Sequence, residues 1–218
     1  MPVRKIKPSY TVVTGSISSN NAENHSEFEG PLEWQFLILL EFDWNNEIDH
    51  YETQPVKINY IDKQTNRQRS YTPDALVHYR DGRLPCLFEV KPRYYLFKKW
   101  KELKPKLRAG IHHAATNNMS FKIITDKEIF TPFLDNARFL RSFKFLSQPN
   151  ADIELLLHAI TQTGPTTPNS LLKSITNDIW RQAELIPSLW NLIANRQIGT
   201  DIHVKLHMES PIYPMQPE

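Results

Sequence analysis

Ser70-Tyr71-Thr72-Pro73-Asp74-Ala75-Leu76-Val77-His78-Tyr79 and Pro85-Cys86-Leu87-Phe88-Glu89-Val90-Lys91 read as two β-strands joined through an Asp81-Gly82 turn signal. Side chains alternate faces along a strand, so Glu89 and Lys91 point the same way. If the two strands pair as a meander, Asp74 comes to lie beside Glu89. Two carboxylates and an ammonium then converge at one edge of a sheet. Burying such a set without pairing or a metal is costly, which favours a chemical use for it.

Working outward, Gln54–Tyr60 alternates Val56, Ile58 and Tyr60 against Lys57 and Asn59, and predicts a further strand. Upstream, Leu32, Phe36, Leu39 and Leu40 recur at helical spacing behind Pro31, and Leu37 and Ile38 make that helix apolar nearly all round. Glu33 and Glu41 are its conspicuous charges. Downstream, Leu96, Trp100, Leu103, Leu107 and Ile111 form a helical stripe that Pro105 should kink or divide. Ser120–Thr125 reads as a strand and Thr131–Leu140 as a helix. The order helix, three strands, helix, strand predicts an α/β core with a mixed sheet over 27–148. Residues 1–26, rich in Ser and Asn, read as a flexible arm. From 149 to 218 the pattern turns to short helices (Asp152–Thr161, Pro168–Thr176, Ile179–Ala194) followed by an alternating Ile202–His207. That suggests a small, mainly helical and possibly winged-helix domain, ending in an extended Pro-rich tail.

The chain has 218 residues, 40% of them hydrophobic and 23% charged, as expected of a soluble globular protein. One cysteine, Cys86, excludes a disulfide framework and a cysteine zinc site, and reads as inert core. No apolar run is long enough for a membrane span, and the charged start lacks the apolar core of a secretory signal. The expected setting is a reducing, cytoplasmic one. The net charge of +2 conceals an uneven layout: 27–62 has nine acidic residues and one basic, whereas 63–149 has eighteen basic and seven acidic. A basic middle of this kind suits a polyanion.

Pro73-Asp74, fourteen residues and then Glu89-Val90-Lys91 is the PD-(D/E)xK nuclease pattern. In-line phosphodiester hydrolysis calls for a hard cation with oxygen ligands, which predicts two Mg²⁺ ions, with Mn²⁺ as a substitute. Asp74 and Glu89 would supply anionic oxygens and the Val90 carbonyl a third. Lys91 would orient or deprotonate the attacking water, or stabilise the developing charge. Glu33 is the candidate third acid and Glu41 the reserve. The plainer alternative, a turn-capping Asp74 with a solvated Glu89–Lys91 pair, does not explain why these charges end the apolar run Cys86-Leu87-Phe88.

Several blocks together resemble the TnsA family of transposon endonucleases. Leu32-Glu33-Trp34-Gln35-Phe36-Leu37-Ile38-Leu39-Leu40-Glu41-Phe42-Asp43 is similar to the family's helix with its first catalytic Glu. Tyr51-Glu52-Thr53-Gln54-Pro55 resembles its segment leading into the sheet, and Tyr71-Thr72-Pro73-Asp74 and Phe88-Glu89-Val90-Lys91 resemble its catalytic strands, over roughly 28–125. The resemblance implies a restriction-endonuclease-like fold and cleavage of the 5′ strands at transposon ends in double-stranded DNA. It also implies a DDE-type transposase partner that cuts and joins the 3′ ends, and an AAA+ regulator. Other readings are a stand-alone nuclease of restriction or resolvase type, and a catalytically silent DNA-binding scaffold.

Between 91 and 108, Arg93, Lys98, Lys99, Lys101, Lys104, Lys106 and Arg108 follow Lys91 with Glu102 as the lone acid, and Tyr94, Tyr95, Phe97 and Trp100 are interleaved. This predicts a phosphate-contacting surface beside the catalytic strands. The alternative is a merely solvated basic helix face. His112-His113, adjacent on a helix, diverge too far to ligate one ion easily and read as a helix-end pair.

Overall fold

The computed structural model describes residues 14–17, 26–62 and 65–215. The chain divides into two compact units, Met1–Ile129 and Phe130–Glu218. No helix among the described residues is long and apolar enough to cross a membrane.

The first unit opens with a hairpin of β1 (Thr14–Ile17) and β2 (Ser26–Glu29). Part of the expected arm is therefore paired strand; the rest of 1–26, other than Ser26, lies outside the described residues. Helix α1 (Pro31–Phe42) follows, with Pro31 in its first turn and Glu33 facing the N-terminal end. Its mostly apolar sequence is matched by burial of Leu32, Phe36, Leu37, Ile38, Leu40 and Phe42. Phe28 stacks on Trp34 at 6.0 Å, holding β2 against the helix start. Asp43 ends α1 in the left-handed region, and its carboxylate accepts from the Glu47 and Ile48 amides at 3.0 and 3.1 Å. These bonds turn the chain into β3 (Ile48–Thr53).

The central sheet has the order β3–β6–β7–β8, with β6 (Ala75–Tyr79), β7 (Cys86–Val90) and β8 (Ser120–Ile124). The first two pairings are antiparallel, and β7 and β8 run parallel. A separate hairpin, β4 (Ile58–Asp62) with β5 (Arg67–Tyr71), interrupts the order. Two strand expectations are thereby corrected. Gln54–Tyr60 is not one strand, because the chain leaves β3 at Thr53 and re-enters extended structure only at Ile58. Ser70–Tyr79 is split at Thr72-Pro73-Asp74 into β5 and β6, which belong to different sheets. Proline has no amide to donate and suits such a break.

Between β7 and β8 run α2 (Arg93–Lys98) and α3 (Trp100–Thr116), and α4 (Asp126–Ile129) closes the unit. The break falls at Lys99 (φ −109°, ψ 17°), whereas Pro105 stays inside α3. Leu103, Leu107, Gly110 and Ala114 form the buried stripe of α3, but Trp100 and Ile111, expected in that stripe, are about half exposed. Leu76 and Leu87 from the sheet pack with Ala114. Every residue of β7 is buried, as befits a central strand.

The second unit comprises α5 (Pro132–Lys144), α6 (Asn150–Thr163), α7 (Pro168–Ile175), α8 (Ile179–Ala194), β9 (Ile198–Thr200) and β10 (Ile212–Pro214). Helix α5 begins before the expected boundary at 148/149 and packs on α8, with Leu134, Ala137 and Leu140 fully buried. Pro187 is accommodated within α8. Ile202–His207 is a turn region rather than a strand. Part of the expected extended tail, Ile212–Pro214, instead pairs with β9. Gly199 allows that pairing, since a Cβ there would lie 2.1 Å from Tyr213 Cε2.

Candidate active site

Asp74 sits between the two sheets' strands, where the chain passes from β5 into β6. Its amide donates to the Phe88 carbonyl at 3.0 Å, and its carbonyl accepts from the Gln54 amide at 3.0 Å. Gln54 reaches that bond in the left-handed conformation (φ 49°), an uncommon backbone state of the sort that collects at functional sites. Glu89 and Val90 end β7, and Lys91 follows, its amide held by the Ile124 carbonyl at 3.0 Å. The pairing of β6 with β7 brings Asp74 and Glu89 together.

The Lys91 ammonium is the hub. It lies 3.1 Å from Glu89 Oε1, 3.3 Å from Asp74 Oδ2 and 2.8 Å from the Val90 carbonyl oxygen. These are the three oxygens that the sequence singles out as metal ligands. The Val90 amide also donates to Asp74 Oδ2 at 2.6 Å. Glu33 joins from the first turn of α1, held by the Glu29 amide at 2.8 Å and hydrogen-bonded to Asp74. All four sequence-derived residues thus meet. Glu41 does not: it is buried elsewhere along α1 and accepts from the Tyr51 hydroxyl.

The electrostatics divide the carboxylates into two kinds. Burial, reinforced by the nearby Asp74 charge, raises Glu33 to about 8. Burial and the Glu89 charge raise Asp74 to about 6, against the opposing pull of Lys91 and the Val90 amide. Glu89 goes the other way: burial alone would raise it, but Lys91, Lys106 and the Tyr71 hydroxyl hold it below its ordinary value. Burial opposes charge on Lys91 too, yet Asp74, Glu89 and Glu33 together push its pKa up, so it stays an ammonium. Crowding and burial thus favour the protonated forms of Glu33 and Asp74, and a positive charge placed among these carboxyls would favour the ionised ones. The donor set, three carboxylates and a carbonyl, is all hard oxygen and fits Mg²⁺ or Mn²⁺.

Two participants escape the motif. The Tyr71 hydroxyl donates to Glu89 Oε2 at 2.7 Å, and Lys106 from α3 lies 2.8 Å from Glu89 Oε1. Lys106 was grouped by sequence with phosphate contacts, but it points inward to the site. Its spacing of four from Glu102 and the helical stripe gives no hint of this, because the partner lies on another element. Tyr71 falls within the Tyr71-Thr72-Pro73-Asp74 block quoted above, but nothing in the sequence assigns it a role.

The rest of the basic segment faces outward. Arg93, Lys98, Lys101, Lys104 and Arg108 are exposed, and Lys99 is half-buried beside Glu102 at 2.7 Å. Trp100, Lys101, Lys104 and Arg108 line one wall of a groove of about 1240 Å³ whose other wall is β4. Tyr94 and Phe97 are about two-thirds and three-quarters exposed. His112 and His113 lie on the last turns of α3, along the same groove. Cys86 is buried, and burial pushes its thiol up.

A four-stranded mixed sheet flanked by helices, carrying Asp74, Glu89 and Lys91 on adjoining strand ends, defines a restriction-endonuclease-like α/β fold. Family models agree: "TnsA-like endonuclease N terminal" matches residues 45–126 and "TnsA endonuclease C terminal" matches residues 128–202. The chain belongs to the TnsA-like family of transposon endonucleases. The first match includes Asp74, Glu89, Val90 and Lys91, whereas Glu33 lies outside it. The comparison with curated proteins found no match.

Proposed function

We propose that this transposon endonuclease hydrolyses the 5′ strands at transposon ends in a divalent-metal-dependent reaction, alongside a DDE-type transposase that handles the 3′ strands and an AAA+ regulator. The observation that carries the metal-dependent reading is the convergence of Asp74 Oδ2, Glu89 Oε1 and the Val90 carbonyl on one point, with Glu33 hydrogen-bonded to Asp74. Asp74, Glu89 and Val90 would hold Mg²⁺, with Glu33 as the further acid. When bound, the ion supplies a Lewis acid for the phosphoryl oxygens and a lowered pKa for water.

Each residue then has a task set by its surroundings. Glu89 stays ionised at neutral pH because two ammoniums and a phenol face it. Lys91 stays charged and places a donor beside the reacting phosphate, where charge accumulates in the transition state. Displaced from the three oxygens it now touches, its flexible stem can orient the attacking water. Tyr71 and Lys106 fix the Glu89 carboxylate so that its free motion does not blur the site. Exposed Arg93, Lys98, Lys101, Lys104 and Arg108 fit the phosphate backbone of double-stranded DNA beside the site.

The test is strand-specific nicking of a transposon-end duplex, with the partner transposase present and Mg²⁺ or Mn²⁺ supplied. Asp74→Ala and Lys91→Ala should abolish 5′-strand nicking while leaving far-UV circular dichroism unchanged. Normal nicking by both variants overturns the assignment. Robust cleavage by the wild type with no partner present would point instead to a stand-alone nuclease.

A further inference from the structure

On the same sheet, away from the carboxylate centre, β3 and β6 juxtapose three side chains with a different ligand chemistry. His50 and His78 are directly opposed across the antiparallel pair, and Glu52 lies two residues from His50 on the same strand. Strand alternation puts all three on one face. One ligand atom from each lies within 4.8 Å of the other two. The imidazoles stack at 4.2 Å with 12° between planes, and His78 Nε2 is 3.9 Å from Glu52 Oε1. His50 Nδ1 is 2.9 Å from Asp49 Oδ2. Arg80 Nη1 is in turn 3.7 Å from Asp49 Oδ1.

We propose that His50, Glu52 and His78 form a binding site for one borderline transition-metal ion, with Zn²⁺ the ion that the donor set fits best, and that this ion clips β3 to β6.

Two imidazole nitrogens and one carboxylate oxygen are a zinc ligand set, and three protein ligands leave a fourth position for water. Mg²⁺ disfavours nitrogen ligands, so the two sites on this sheet differ in kind. The Asp49 carboxylate supplies the outer partner that metal-bound histidines usually have. By accepting from Nδ1–H it would present Nε2 as the ligating atom of His50. Tetrahedral zinc needs ligand atoms roughly 3.3 Å apart. Modest rotation of half-buried side chains closes that gap; the backbone register already holds the residues opposite one another. His78 is four residues along from Asp74, which at strand rise is roughly 13 Å, too far for one ion to serve both groups.

The location gives the clip a purpose. Strand β3 is the edge of the four-stranded sheet, and its register with β6 shifts between Ile48 and His50. A cross-strand ion at this irregularity would fasten the edge strand to the strand that begins beside Asp74.

The proposal is tested with the full chain, metal-stripped and then held in millimolar Mg²⁺ to fill the hard oxygen site. Co²⁺ is titrated as a spectroscopic probe and Zn²⁺ as a competitor. One equivalent of Co²⁺ should bind with the visible bands of a tetrahedral nitrogen–oxygen site, and Zn²⁺ should displace it. Affinity should fall at least 100-fold in His50→Gln and His78→Gln, and about 10-fold in Glu52→Gln, while Asp74→Asn should bind as the wild type does. Because all three side chains are partly exposed, these variants are expected to fold, and circular dichroism checks it. A wild type that takes up no Co²⁺ under these conditions overturns the proposal. So does binding that survives both histidine changes, or binding lost in Asp74→Asn, which would assign the ion to the carboxylates. A misfolded histidine variant leaves Glu52→Gln and ring-nitrogen NMR shifts of the wild type on adding Zn²⁺ to decide; unmoved shifts overturn it equally.

Discussion

Lys106 and Tyr71 grip opposite oxygens of one carboxylate: Lys106 Nζ lies 2.8 Å from Glu89 Oε1, and the Tyr71 hydroxyl donates to Oε2 at 2.7 Å. The ammonium also stands 5.0 Å from the Tyr71 ring centroid. Glu89 is therefore fixed from α3 and from β5 as well as by its own strand. A helix dominated by exposed basic residues thus contributes one lysine to the interior of the site.

Separating Lys106 from its exposed neighbours is the first expectation. Lys106→Met should lower nicking at saturating DNA about 10–100-fold, the cost expected of losing an outer partner of Glu89 in its proposed metal-binding role. The salt dependence of DNA binding should stay unchanged. Lys101→Ala should do the reverse, lowering the salt slope by about one and sparing turnover at saturation. Fluorescence-anisotropy titrations at several salt concentrations, with single-turnover nicking, check both.

Tyr71→Phe removes a hydroxyl from an ionised, buried acceptor, and should cost about 1–3 kcal/mol in urea unfolding. Glu89 loses one of the groups that keep its pKa low, so the carboxylate should titrate at higher pH in the variant. The acid limb of the nicking profile should move up in pH accordingly. An unmoved acid limb would show that Tyr71 packs without tuning Glu89.

Metal-free protein should become less stable as pH rises from about 5 to 8. Glu33 is raised from 4.5 to about 8 and Asp74 from 3.8 to about 6. The folded state therefore binds protons that the unfolded state has released. Their contribution is complete below the unfolded values and is lost as pH climbs through the folded ones. Glu33→Gln should flatten the decline, most visibly between pH 6 and 8. Urea midpoints measured in chelator across that range test the sign directly. Saturating Mg²⁺ should flatten it as well, if the carboxylates hold the ion.

How legible was this in the sequence? The convergence of Pro73-Asp74 with Glu89-Val90-Lys91 was legible because strand alternation and one pairing suffice to bring them together. Helix α1 was readable from its apolar run, and Glu33 with it. The edge strand β3 was missed because Asp49, His50 and Glu52 leave Ile48 and Tyr51 as its main apolar signal, and an edge strand need not be apolar on both faces. Ile202–His207 erred oppositely: it alternates, but its backbone polar groups are met by Asn136 rather than by a neighbouring strand. Lys106 was illegible because its partner Glu89 lies on strand β7, and helical spacing reports only neighbours on the same helix.

Gly110 offers a test in which local and tertiary preferences conflict. Alanine there should gain up to about 1 kcal/mol of helix propensity. Yet a Cβ would lie 2.7 Å from Phe121 Cε2 and 3.0 Å from Tyr71 Cε1, both ring atoms packed on α3. Tertiary crowding should win, giving net destabilisation of about 1–3 kcal/mol. Because the Tyr71 ring is one of the atoms displaced, nicking should fall as well. A neutral or stabilised Gly110→Ala would show that the rings yield freely.

Asn136 holds the long connection after β9 from inside the second unit. Its Nδ2 donates to the Ile202 and Val204 carbonyls, each at 2.8 Å, and its Oδ1 accepts from the Leu206 amide at 2.9 Å. The residue is 2% exposed. A single side chain thus satisfies three backbone groups of a segment that has no strand partner, which explains how an alternating sequence stays irregular at little cost. Asn136→Ala leaves all three groups to find water and should cost about 2–4 kcal/mol. Asn136→Asp restores the acceptor but none of the donors, and its charge would face two carbonyl oxygens, so it should be no better. Hydrogen exchange distinguishes local from global effects: the Leu206 amide should lose protection first in both variants. Amides of β7 in the other unit should exchange as in the wild type. Equal loss at both places would mean that the two units unfold as one.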